Sequence, residues 1–126
     1  MAGVEGFSEY NNPNWNHYNS LFTENFADKE NWDKYRGYEL VIAIDSLEHI
    51  DKDVALELLK YLVENNREVI VSVPIGEWPQ DAVFGNPYEV HRASWYESDF
   101  VIFRAENKFN MTMLHKSVCG VYSISK

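Results

Sequence analysis

The chain has 126 residues, of which 45% are hydrophobic, 15% aromatic and 25% charged, a size and composition that fit one compact domain and argue against disorder. A formal net charge of −9 and the lack of any long Lys or Arg run disfavour nucleic acid as a partner, because such binding rests on several cationic contacts to phosphates; Arg92, Arg104, Lys108 and Lys116 offer a local basic spot at most. No window approaches the roughly 18 apolar residues of a membrane span, and residues 1–10 carry no basic segment followed by an apolar one, so neither membrane insertion nor secretion is expected.

In chain order, residues 3–7 read as a short strand, residues 10–18 as an Asn-rich turn region in which Trp15, His17 and Tyr18 pack, and residues 20–26 as a second strand. Residues 38–44 (YELVIAI) are an apolar, β-branched run ending at Asp45, the pattern of a strand buried on both faces of a parallel sheet. Next, Ala55, Leu58, Leu59, Leu62 and Val63 recur at the spacing of one helix face, with Asp51 or Asp53 placed to cap its start. The helix runs out at Asn65, Asn66 and Arg67, and residues 68–73 (EVIVSV) form another buried strand, stopped by Pro74. Together these segments predict a right-handed βαβ crossover.

Residues 75–93 hold Gly76, Pro79, Gly85 and Pro87 and no sustained periodicity, the character of a binding loop or lid. Ser94 and Glu97 have the S-x-x-E spacing of a capping box, which predicts a short helix over residues 95–103. Residues 108–114 and 118–124 then read as an antiparallel hairpin, with His115 an exposed residue of it. The single cysteine, Cys119, cannot form an internal disulfide and lies in an apolar run, which fits a reducing cytoplasm; nothing nearby would lower its pKa enough to make it a nucleophile.

The candidate functional residues follow from their chemistry. His49 stands just past the carboxyl end of a strand, where open α/β sheets place ligands, and its ordinary pKa near ~6.5 suits a general base; the alternative is a packed histidine bonded to backbone. Asp45 and Glu48 can hold a cofactor or a substrate amine, or satisfy backbone donors at the next helix. Glu89 and His91 are placed to face a substrate together. With Glu48 and His49 they make a metal-shaped grouping, but no H-x-x-x-H or cysteine pair accompanies it, and no metal is expected. Trp78, Phe84, Tyr88 and Trp95 can form an aromatic wall or simply cover the core.

Residues 38–50 (YELVIAIDSLEHI) resemble the fourth strand of class I S-adenosylmethionine-dependent methyltransferases, in which an apolar strand, an aspartate and Leu-Glu-His follow one another. The next helix and residues 68–76 (EVIVSVPIG) look like the family's following helix and fifth strand. Residues 85–100 (GNPYEVHRASWYESDF) look like the loop and helix after it in a bacterial and phage subgroup, so residues 38–126 keep the family order. The resemblance implies an α/β fold in a single domain over residues 1–126: a truncated Rossmann-like sheet, mostly parallel, with a C-terminal antiparallel hairpin. It implies S-adenosylmethionine as cofactor, with Glu5 at its ribose hydroxyls, Asn25 near adenine (or Glu24, if the register slips) and Asp45 and Ser46 beside it. His49, His91 and Glu48 are the implied catalytic residues.

The family's first strand ends in a glycine-rich loop, needed because a Cβ would collide with the cofactor. No G-x-G occurs in this sequence. On this alignment the first strand, which lies between the second and fourth, is missing. Its place falls to direct closure of those two strands, to a second copy making a homo-oligomer, to a partner chain, or to the rest of a longer protein. An unpaired central edge is an aggregation hazard, which is why completion of the sheet is expected. The implied function is methyl transfer to a small-molecule or saccharide acceptor; the alternatives are a non-catalytic relic acting as an interaction or scaffold protein and one half of a split enzyme.

Overall fold

The computed structural model describes residues 1–10, 12–114 and 116–126, so that His115 lies outside the described residues. Strands β1 (Ala2–Glu5) and β2 (Ser20–Thr23) pair in parallel as a sheet of their own, with Glu5 opposite Thr23. Short 3-10 segments at Ser8–Tyr10 and Pro13–His17 connect them. Asn12 opens the second by accepting from the Asn14 N–H at 2.9 Å. Gly3 is required by packing here, since a Cβ would stand 2.7 Å from the Tyr18 ring.

The main sheet has the order β3-β4-β6-β5, built from β3 (Leu40–Ile44), β4 (Glu68–Pro74), β5 (Glu106–Met113) and β6 (Lys116–Ser125). β3 and β4 are parallel and joined by helix α1 (Lys52–Asn65), which is the expected crossover. β4–β6 and β6–β5 are antiparallel, the last pair being the expected hairpin; because β6 also pairs with β4, the main sheet is not mostly parallel as expected but has one parallel and two antiparallel pairings. The predicted stripe forms: Ala55, Leu58, Leu59 and Leu62 of α1 are buried with Val69, Val71, Val73, Tyr122 and Ile124 of the sheet. Asp51 is the N-cap residue, but its side chain makes no capping bond.

Three further expectations change. The segment over residues 95–103 is a 3-10 helix, Glu97–Phe103, and Ser94 and Glu97 do not cap it. Instead the Asp99 carboxylate accepts from the Tyr96 N–H at 2.8 Å, while Lys52 Nζ donates to the Ser94 carbonyl and to Asp99, both at 2.6 Å. β1 and β3 belong to separate sheets, so the second-to-fourth-strand closure does not occur.

The third change concerns burial. β3 was expected to be buried on both faces, yet Leu40, Ile42 and Ile44 are 44%, 62% and 50% exposed. The pairing register explains which face is open. Ile44, Ser72, Val121 and Phe109 lie in one row across the sheet, and Ile42 stands opposite Ile70. These residues point away from α1, and no described element covers the exposed Ile42, Ile44, Phe109 and Met111. An apolar run shows that both faces of a strand suit burial; it does not show that a neighbour is present on each.

Residues 24–35 tie the small sheet to the core. Trp32 Nε1 donates to the Phe26 carbonyl at 2.9 Å, and Tyr35 Oη donates to Glu24 Oε1 at 2.7 Å. Burial pushes the Glu24 carboxyl up, but the Lys34 ammonium and the Tyr35 hydroxyl outweigh it and hold the pKa below the usual range.

Two predictions follow from this packing. In urea titrations, Leu59→Ala, which truncates a fully buried side chain, lowers stability by about 2–5 kcal/mol, whereas Ile42→Thr on the open face changes it by less than about 0.5 kcal/mol. Equal losses would mean that the open face is covered in solution. Separately, a carboxylate with a depressed folded-state pKa stabilises above its unfolded value and loses that contribution as pH falls through the folded one. Glu24→Gln therefore costs about 1 kcal/mol at neutral pH, and thermal melts show the gap to the parent protein closing below about pH 4. A gap independent of pH would refute the ionic contribution.

Candidate active site

Helical or strand geometry fixes few of the candidate side chains; hydrogen bonds at the carboxyl ends of the strands fix most of them. Immediately after β3, Asp45 adopts a left-handed backbone conformation (φ 45°), which aspartate tolerates better than most residues. Its N–H donates to the Ser72 carbonyl at 3.1 Å. The Ser72 hydroxyl in turn donates to Asp45 Oδ1 at 2.9 Å. Ser72 is the lone polar residue in the run from Val69 to Val73, a signal of a buried polar role that periodicity alone passes over. Ser46 Oγ donates to the Ile44 carbonyl at 2.8 Å.

The chain then turns through the 3-10 segment Leu47–His49, with Leu47 and Glu48 buried. The Glu48 carbonyl accepts from the N–H groups of Arg92 and Ala93 at 2.7 and 3.1 Å. This pair of bonds brings the loop over residues 75–93 onto the turn, and His91 beside His49, with ring centroids 4.8 Å apart. The loop is held at its far end by Trp95, whose backbone bridges Ile75 and Gly76. Gly76 has φ 95° there, which favours glycine. The Trp95 side chain is fully buried, stacks on Phe100 and carries Lys52 Nζ 3.9 Å from its ring centroid. Of the expected aromatic wall, then, Trp95 belongs to the core, while Trp78, Phe84 and Tyr88 are exposed.

Glu48, His49 and His91 each offer a ligand atom, all within 4.8 Å of one another. Burial, reinforced by the negative charges of Asp45 and Glu89 and opposed by His49, pushes the Glu48 carboxyl up to about 7. A group so placed exchanges a proton near neutrality. His91 Nδ1 lies 2.5 Å from the Trp78 carbonyl oxygen. That oxygen can only accept, so Nδ1 carries a proton, and in the neutral ring Nε2 has the lone pair. A cavity of about 250 Å³ lined by Trp78, Pro79, His91 and Arg92 opens beside this ring. A larger hollow of about 800 Å³ lies at the opposite end of β3 and β4, lined by Tyr38, Glu39, Arg67 and Glu68, away from every candidate residue.

Glu5 and Asn25 stand at and just beyond the carboxyl ends of β1 and β2. Glu5 Oε1 accepts from the Phe7 N–H at 2.8 Å and Asn25 Oδ1 from the Ala27 N–H at 3.0 Å, so each side chain shapes its own turn. Glu24 is engaged by Lys34 and Tyr35, which leaves Asn25 the freer of the two adenine candidates. Glu89 accepts from Tyr10 Oη at 2.6 Å, a contact that links the segment after β1 to the loop. Asn86 is a residue the sequence reading missed. It is 1% exposed and caps the Pro87–Glu89 turn by accepting from the Tyr88 N–H at 2.9 Å, a role that the Asn-Pro dipeptide signals. Burial, helped by Asp45 and Glu48, pushes the Cys119 thiol up, in keeping with an unreactive cysteine.

No family model matches the chain, and no curated protein matches it. Among solved structures, the N-terminal domain of EvdMO1 with SAH bound superposes with a TM-score of 0.66 at 14% identity, over 98% of this chain and 63% of that one. The small RNA methyltransferase HEN1 superposes with a TM-score of 0.64 at 12% identity, over 99% of this chain and 20% of that one. The chain thus spans less than two thirds of either neighbour. At these identities the likeness establishes architecture alone: the mixed α/β fold of this chain is similar to that of both structures.

Proposed function

We propose that this chain forms the adenosine-side and acceptor-side part of an S-adenosylmethionine-dependent methyltransferase, with a hydroxyl of a small molecule or saccharide as acceptor. The observation that carries the reading is the placement of Glu5, Asp45, Glu48 and His49 at or just past the carboxyl ends of parallel strands, with His91 brought beside His49 by the following loop, in a fold shared with a domain that holds SAH. Glu5 takes the ribose hydroxyls, Asn25 the adenine edge, and Asp45 with Ser46 the cofactor beside β3. The Glu48–His49–His91 cluster faces the acceptor. In the reaction the acceptor oxygen attacks the methyl carbon in line while the carbon–sulfur bond breaks. The bonding pair returns to sulfur as a neutral thioether, and the acceptor proton passes to the cluster. The net charge of −9 favours an uncharged acceptor over a nucleic acid.

The proposal includes additional polypeptide that completes the sheet. Among the described residues β3 pairs on one edge only, and the open face carries Ile42, Ile44, Phe109 and Met111. A strand on the free edge, followed by a helix across that face, would satisfy both and would bring the glycine-rich turn that the sequence lacks. The same open face supports the second reading, a non-catalytic domain that binds a protein partner through it.

Calorimetric titration with S-adenosylmethionine and S-adenosylhomocysteine distinguishes the two. We expect saturable binding, weakened by Glu5→Ala about tenfold or more, the scale of lost hydrogen bonds to a charged group. No binding at millimolar ligand by folded, monodisperse protein would reject cofactor binding by this chain on its own.

A further inference from the structure

Local spacing offers no metal motif, but folding brings a carboxylate and two imidazoles from distant segments to one point. The ligand-capable atoms of Glu48, His49 and His91 lie within 4.8 Å of one another. The Glu48 side chain is 3% exposed, and its Oε2 has no hydrogen-bond partner among the described residues; neither has the buried Nδ1 of His49. Leaving such an acceptor buried and unsatisfied costs about 1–3 kcal/mol, more when it is charged. The nearby carboxylates of Asp45 and Glu89 add negative charge to the site. The Trp78 carbonyl orients the His91 ring through Nδ1 and leaves Nε2 as a lone-pair donor, the outer-shell arrangement that typically accompanies a metal-ligating histidine.

We propose that Glu48, His49 and His91 bind a divalent first-row transition ion through one carboxylate oxygen and two imidazole nitrogens, with the remaining positions open. Two nitrogens and one oxygen suit zinc, cobalt, manganese or iron better than magnesium or calcium, which take oxygen ligands. Three protein ligands with an open position are the arrangement of a catalytic rather than a structural site. An oxygen-bearing acceptor completing the coordination is polarised by the ion, which lowers the proton affinity of its hydroxyl. This deepens the methyl-transfer reading, on whose acceptor side it rests: with an ion bound, the three side chains would act as ligands rather than as proton acceptors, the ion would supply the activation of the acceptor, and the hydroxyl proton would pass to solvent water.

The test is titration of tag-free, chelator-stripped protein with Co²⁺ and then Zn²⁺, followed by visible d–d absorption and calorimetry, with no S-adenosylmethionine present. The expected result is a saturable cobalt spectrum that zinc abolishes. His49→Ala, His91→Ala and Glu48→Gln should each weaken cobalt binding more than about tenfold, the effect that loss of even an outer-shell partner can reach. His17→Ala, at an exposed histidine of the small sheet's turn, should leave it unchanged. A folded parent protein with no cobalt spectrum, or His49 and His91 variants that bind like the parent, would overturn the proposal. Where a variant fails to fold by circular dichroism, Co²⁺ broadening of the imidazole NMR signals of the parent protein decides instead. Broadening of His49 and His91 ahead of His17 supports the site, and uniform broadening overturns it. Because the cofactor is absent throughout, a negative result removes the metal and leaves the methyl-transfer reading standing.

Discussion

The main sheet depends on β4. Its edges are taken by β3 in parallel and β6 in antiparallel, and its Val69, Val71 and Val73 have no exposed surface. Each of these valines sits between α1 and the sheet's own neighbours, so the strand is fixed in register and in height. A one-residue slip would turn the valines out and bring Ile70 and Ser72 in. The candidate site inherits this rigidity. Ser72 pins Asp45 at the start of the Leu-Glu-His turn, and the residues after Pro74 bridge to Trp95, which anchors the loop bearing His91.

What the sequence made legible was what local periodicity encodes. The apolar run of β3, the stripe of α1 and the run of β4 each carry their own period, and the hairpin is set by two strands close in sequence. The cap of the 3-10 segment at Glu97–Phe103 was misread, though not the segment itself, because S-x-x-E spacing is a local cue and a tertiary contact overrides it. Lys52, far away in sequence, claims the Ser94 carbonyl and the Asp99 carboxylate. The exposure of Ile42 and Ile44 was illegible for a related reason, since a strand's own residues cannot report which layers lie over it.

The site was half legible. Strand ends and the Leu-Glu-His run place Asp45, Glu48 and His49, but the meeting of His49 with His91 depends on two backbone hydrogen bonds to the Glu48 carbonyl, which no side-chain pattern announces. The contact of Glu89 with Tyr10, which follows β1, is likewise announced by no local pattern. Neighbours in sequence along an irregular loop have no fixed period, so their directions are set by whatever partner each finds.

The open face of the sheet also bears on how the molecule behaves in solution. A set of exposed isoleucine, phenylalanine and methionine side chains attracts its own kind, and long-range repulsion between chains of net charge −9 opposes that attraction. Salt shortens the reach of the repulsion to about 8–10 Å at moderate ionic strength, and acid removes it altogether near the sequence pI of 4.8. The colloidal stability of this chain is therefore electrostatic rather than steric: dilute, low-salt, mildly alkaline solution keeps the faces apart, and mild acid brings them together.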